Sequence, residues 1–322
     1  MPIKYSYTNE EDYGYIADTP QDIAEFGSME GRYDPTGQPA IVSWNTLEPV
    51  VEQKAAEMDK IRAAGHIVLW WKIARFFRIP IWESNQGNLG SCAGWAASTG
   101  YMTMVLYQML LGAFRFVLIN PLAMWVLTKN WSMSGGQSMT KVMLGGNQHG
   151  NFPVQNVGAY TTRLTNEKRN RIIAARGEAK LHQFGVCRLT GNGREVARKI
   201  VQCLRAGMTV AIGNNIRVSG SRIDTNGMRV AVLGGTWMHA TVFDAYIVVN
   251  GTVYVHWTNS HGNRYMGKDR FDAPESGCWM TLDTLNQFCS GRFCDAFVIY
   301  QSEAPVDTDR QSFVPMTFNM KG

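Results

Sequence analysis

Four residues of this chain have the types and the order that acyl transfer through sulfur requires: Gln86, Cys92, His239 and Asn259. A cysteine attacks a carbonyl as thiolate, and the start of a helix favours that form through its unpaired N–H groups and dipole. Cys92 stands where an apolar helix should begin, directly after a loop containing Gly87 and Gly90. The attack also needs a base and a group that holds the base. His239 opens a β-rich run, and Asn259 ends the next strand, beyond Asn250-Gly251. A hairpin at Asn-Gly brings Asn259 back towards His239. Its side-chain carbonyl can then accept from one ring nitrogen and leave the other facing the thiol. A developing oxyanion finds one donor in the backbone N–H of Cys92 and a second in the amide of Gln86.

Elements must position these residues. Residues 1–46 are rich in Gly, Pro, Asp and Tyr without a sustained period, so an extended arm is expected. Val50, Ala55, Met58 and Ile61 share a face of a helix over about 46–64, stopped by Gly65. The segment 67–77 is apolar and fits helix or strand equally. The nucleophile helix should run over about 92–112. Asn120-Pro121 caps a helix reaching about residue 130, and Ser134-Gly135-Gly136 opens another that Gly145-Gly146 closes. Helices over about 166–179 and 194–206 carry charged outer faces. Beyond Gly207 the β-rich runs 210–212, 229–233, 241–249, 253–258 and 297–300 are separated by turn residues. Helices followed by antiparallel strands make an α+β chain whose two subdomains face each other across a cleft.

Composition excludes several other classes. The chain has 322 residues, 45% apolar and 18% charged, an ordinary globular balance. A net charge of +5 is too small for this length to imply nucleic acid. The basic run Lys168, Arg169, Arg171, Arg176 and Lys180 reads as a solvated helix face. The N-terminus lacks a positive start followed by an apolar stretch, so no secretory signal is expected. The apolar stretch 96–127 is interrupted by Thr99, Thr103, Gln108, Arg115 and Asn120-Pro121; it reads as two buried helices, not a bilayer span. The six cysteines have irregular spacing, which argues against a disulfide scaffold. Cys278, Cys289 and Cys294 lack the paired spacing or nearby histidine of a metal site, so no metal and no cofactor are expected. His66, His149, His182 and His256 have no catalytic company and read as structural.

The stretch from Gln86 to Ala96, QGNLGSCAGWA, resembles the nucleophile loop of papain-like cysteine peptidases. His239-Ala240 and Asn259-Ser260-His261-Gly262 are similar to that family's histidine and asparagine motifs. The order Gln, Cys, His, Asn and the Cys-to-His separation also match. The resemblance spans about 80–300. It implies a papain-like fold in which a helical subdomain bearing the nucleophile helix packs on an antiparallel β-barrel-like subdomain. The expected division is 1–79 arm and helix, 80–185 helical half, 186–301 β-rich half and 302–322 polar tail. By position, Cys92 would be nucleophile, His239 base and then acid, Asn259 its orienting partner, and Gln86 an oxyanion donor. A resting Cys92–His239 thiolate–imidazolium pair is implied as well. Gly135, Gly136 and Met238 would contact substrate, Gly136 pairing its backbone with an extended peptide. His261 and Trp257 would stand behind the catalytic set.

The chain departs from the family pattern at three positions. Leu89 replaces a cysteine, which removes a disulfide usual in secreted members and fits a reducing compartment. Ala93 replaces an aromatic residue. His261 replaces the aromatic cover of the Asn–His hydrogen bond and should admit more water, unless Trp257 or Trp95 takes over. The expected activity is hydrolysis of protein or peptide substrates, with no nucleic-acid or membrane partner. The alternative is a papain-fold structural or binding component of a larger assembly, such as a virus particle, holding the arm and tail. A third reading is an amidase or transferase on a non-protein amide.

Overall fold

A computed structural model describes residues 15–30, 40–82, 84–110, 116–262 and 269–300. The polar tail 302–322, Arg115 and the first part of the arm lie outside the described residues. The arm is not simply extended. Strand β1 (Tyr15–Ile16) leads into helix α1 (Pro20–Met29), which the reading of 1–46 missed. Thr19 and Asp22 form a reciprocal capping box there, and proline takes the first helical position.

Helix α2 (Trp44–Ala63) starts two residues before the expected 46, at the Ser43 cap. The undecided segment is helical, as α3 (Trp70–Phe76), and α4 (Cys92–Leu110) carries the nucleophile candidate. In α5 (Pro121–Thr128), the Asn120 side chain accepts from the Leu122 N–H as the cap. Strand β2 (Gln137–Ser138) then precedes α6 (Met139–His149). That helix differs from expectation at both ends: Ser138, not Ser134, caps it, and it runs through Gly145-Gly146. These glycines permit close packing. A Cβ on Gly145 would lie 2.2 Å from Thr128 Cγ2, and one on Gly146 2.2 Å from Phe184 Cζ.

Next come α7 (Val154–Val157), α8 (Asn166–Ala174) and α9 (Arg176–Ala179), so the expected helix 166–179 breaks in two at Ala175. Its charged face is solvated except at Lys168, which is buried and donates to the Ala159 carbonyl. The remaining elements are β3 (Gly185–Leu189), α10 (Gly193–Arg205), β4 (Thr209–Ile223), β5 (Arg229–Val249), β6 (Thr252–Thr258), β7 (Gly277–Thr281), α11 (Leu282–Cys289) and β8 (Cys294–Tyr300). The runs expected at 229–233 and 241–249 are one continuous strand, β5. β3, β7 and α11 were not expected.

The main sheet has strand order β3-β8-β4-β5-β6-β7, with every ladder antiparallel. A single parallel bridge, Val230 to Trp279, also joins β5 to β7, so the sheet curls at that end. Side chains alternate between its faces. Ala211, Phe297 and Ile299 join the core around α3, α4, α5 and α6. Val210, Ile212, Ala296 and Val298 join the core around α2, α10 and α11. Every residue of α4 from Cys92 to Tyr107 is buried. Gly94 lets α5 approach: a Cβ there would stand 2.6 Å from the Pro121 carbonyl oxygen. This is the expected α+β arrangement, with residues 92–107 of α4 and 121–126 of α5 inside it. Among the described residues, no helix is long and apolar enough to cross a membrane.

Candidate active site

Cys92 is the first residue of α4, with Ser91 before it accepting the Trp95 N–H in the first turn. Tyr160, which the sequence reading did not single out, fixes this loop. Its hydroxyl donates to the Gln86 carbonyl at 2.9 Å, so the Ser91 hydroxyl must be the donor in the 2.8 Å contact between them. Tyr160 also packs on Trp95, ring centroids 5.0 Å apart.

His239 lies on β5 opposite Asn214 of β4. The hairpin at Asn250-Gly251, both residues at positive φ, returns the chain along β6 to Asn259. Asn259 Oδ1 accepts from the Ser260 N–H and meets His239 Nε2, both at 2.7 Å. The backbone donor identifies that atom as the amide oxygen. His239 Nε2 therefore carries the ring proton, and Nδ1 is the basic nitrogen of the neutral ring. Ala240, next along β5, donates its N–H to Cys92 Sγ at 3.4 Å. The thiol of α4 is thus brought against the His239-Ala240 stretch of the sheet.

Gln86 joins the two halves. Its N–H donates to the Ser260 carbonyl at 2.8 Å, its Oε1 accepts from Ser260 Oγ at 2.5 Å, and its Nε2 donates to the Leu89 carbonyl at 2.8 Å. Asn85 and His261 form an antiparallel bridge beside it. His261 stacks on His239, centroids 4.4 Å apart and planes within 14°. Trp237 packs on the same ring at 4.6 Å, and Trp257 stands behind Trp237 while donating to Thr241 Oγ1. The aromatic support for His239 therefore comes from Trp237 and not from Trp95. The signal was available: Trp237 and His239 are two apart in a strand and share a face.

The other expected residues have distinct places. Met238 is half-buried on β5 and packs on the core around α4. Gly135, with φ of 65°, and Gly136 lie in the loop before β2. Strand β1 pairs in parallel with β2, Tyr15 opposite Gln137. The Tyr15 ring lies on Gly213, whose ladder partner is Ala240, and its hydroxyl bonds Asp295 Oδ2. The arm thus bridges β2, which follows Gly135-Gly136, and β4, the strand beside His239. Asp18 secures it, accepting from the Thr140 N–H at 3.1 Å and Oγ1 at 2.6 Å, with Arg188 between Asp18 and Asp295.

In this arrangement Cys92 is 0% exposed and His239 1%. Burial pushes the Cys92 thiol up to about 12, against the lowering effect of the N–H groups of Ala240, Ala93 and Cys92. Burial thus works against the implied resting thiolate, because desolvation disfavours the anion that these N–H dipoles favour.

By structure the chain is similar to xylellain, a cysteine protease from Xylella fastidiosa, with a TM-score of 0.52 over 94% of this chain and 100% of that one, at 13% identity. The fold is that of the papain-like cysteine proteases. Digestive procathepsin L 3 of Tenebrio molitor also matches, with a TM-score of 0.47, 13% identity, and coverage of 67% of this chain and 65% of that one. So does the ragweed pollen cysteine protease Amb a 11 in its proform, at 0.48, 17%, 78% and 64%. No family model matches the chain, and no curated protein matches it by sequence.

Proposed function

We propose that this chain is a cysteine peptidase in which Cys92 is the nucleophile and His239 the proton carrier. The observation that supports this most directly is the relay from Asn259 Oδ1 to His239 Nε2, with Cys92 Sγ set against the neighbouring Ala240 N–H. Nδ1 of His239 takes the thiol proton as sulfur attacks the scissile carbonyl carbon. Oxygen then carries the negative charge, met by the Cys92 N–H and by the Gln86 Nε2–H not bonded to Leu89. The imidazolium returns the proton to the leaving amine. Water, deprotonated by the same ring, releases the acyl group from sulfur. Gly135, Gly136 and Met238 line the path of the extended substrate, and the bonds from Ser260 keep Gln86 oriented.

A peptidyl epoxide directed at thiols tests this reading. On exposure alone, the partly exposed Cys294 should react before the buried Cys92. Peptide mapping is expected to find the label on Cys92, and Cys92→Ser should abolish both labelling and peptide cleavage. Label on Cys294 with Cys92 intact would refute the reading.

A further inference from the structure

Lys129 ends α5, and the chain reverses immediately after it through Asn130 and Trp131, both at positive φ. The loop then wraps around the lysine side chain. Nζ donates to three consecutive carbonyl oxygens, Ser134 at 2.5 Å, Gly135 at 2.9 Å and Gly136 at 2.7 Å. These bonds use all three ammonium protons. The Trp125 ring closes another side, 4.5 Å from Nζ to its centroid. Among the described residues, no carboxylate pairs with Lys129; its partners are the loop's own backbone and an aromatic face.

Three carbonyl dipoles converging on one point repel one another. Such a loop keeps its shape only with a cation at the focus, because the alternative is a cluster of partial negative charges partly removed from water. The shape matters because Gly136 is the residue assigned above to pair with substrate. The next two residues already accept an extended segment, as Gln137 and Ser138 pair with Tyr15 and Ile16. Gln137 supplies a second tie to α5, its Nε2 donating to the Thr128 carbonyl at 3.0 Å. That bond holds the start of β2 and leaves the preceding carbonyls to Lys129.

We propose that Lys129 is a positioning residue: its ammonium shapes the 134–136 loop into the edge that receives extended peptide. The role rests on the peptidase reading. It also requires lysine specifically. A tetrahedral ammonium reaches three oxygens around one point, whereas a planar guanidinium fork does not, so arginine is no substitute here.

The test compares two substrates with the same leaving group on the full-length chain: an extended peptide that reaches Gly136, and a single-residue ester that reaches only Cys92. With Lys129→Met, kcat/KM for the extended peptide is expected to fall by about 10- to 100-fold, mainly through KM, as for the loss of one or two backbone hydrogen bonds. Turnover of the ester and alkylation of Cys92 by iodoacetamide should stay within about twofold. Lys129→Arg should behave like Lys129→Met, and methylammonium should partly restore Lys129→Ala on the extended peptide alone. Lys129→Gln, which keeps two donors, replaces Lys129→Met if the latter does not fold. Equal effects on both substrates, or no effect on either, would overturn the role of Lys129 while leaving the peptidase reading intact. A wild-type chain that turns over neither substrate would remove that reading and this proposal together.

Discussion

The ring of His239 meets Asn259 at its Nε2 and His261 and Trp237 on its faces, and these contacts do different work. Asn259 fixes which nitrogen carries the proton. Asn259→Ala should lower kcat by about 10- to 100-fold with KM nearly unchanged, since one buried hydrogen bond orienting the base is lost. His261 stacks on the ring and, in the proposed reading, would shield that bond from water. His261→Phe keeps a flat ring there and should retain most activity, whereas His261→Ala should lose activity towards the Asn259→Ala level; single-turnover acylation rates separate the two. The sequence made Cys92, His239, Asn259 and Gln86 legible because short motifs in a fixed order carry them. Tyr160 was not: it acts through a contact made by the fold, and a lone aromatic residue has no spacing that announces it. Trp237 was readable only through its two-residue spacing from His239 on one strand.

At the scale of elements, the arm is the part least readable in the sequence. Strand β1 spans only two residues, too few for any period, and its partner β2 lies far along the chain. Likewise, Gly145-Gly146 reads as a stop until Thr128 and Phe184 are seen against it. The arm's anchor also carries a pH dependence. Burial first, and the nearby Asp295 carboxylate second, raise the Asp18 carboxyl to about 6. A carboxyl raised in the docked state binds its proton more tightly docked than free. Docking is therefore strengthened as pH falls through 6 and weakened above it. Limited proteolysis between α1 and α2 should be slower at pH 5 than at pH 7.5. Asp18→Asn should remove this dependence. A wild-type cleavage rate that is flat across this range would show that Asp18 does not govern the arm.

For the molecule as a whole, the two sides of the site meet along a seam of backbone bonds. Gln86 N–H bonds the Ser260 carbonyl and Gly262 N–H the Ser84 carbonyl, with α4 wedged behind them. The alternation along the later strands made the α+β class readable. The curl of the sheet was not, because it depends on the bridge from Val230 to Trp279. Gly94→Ala tests the wedge. The added methyl would meet the Pro121 carbonyl oxygen at 2.6 Å and Trp125 Cβ at 2.8 Å, groups that cannot swing aside. A loss of about 1–3 kcal/mol in denaturant unfolding is expected, together with a lower activity because Gly94 stands two residues from Cys92 on the same helix.

Residues 92–107 of α4 and 121–126 of α5 form two apolar runs buried inside the protein. Once the fold opens, these runs meet water with few charges to keep separate chains apart. Five of the six thiols, Cys294 excepted, are released from burial at the same moment. Heated chains should associate and crosslink faster than they refold. The survival time of this protein would then be set by how often it opens, and its apparent melting temperature should rise with scan rate instead of marking an equilibrium.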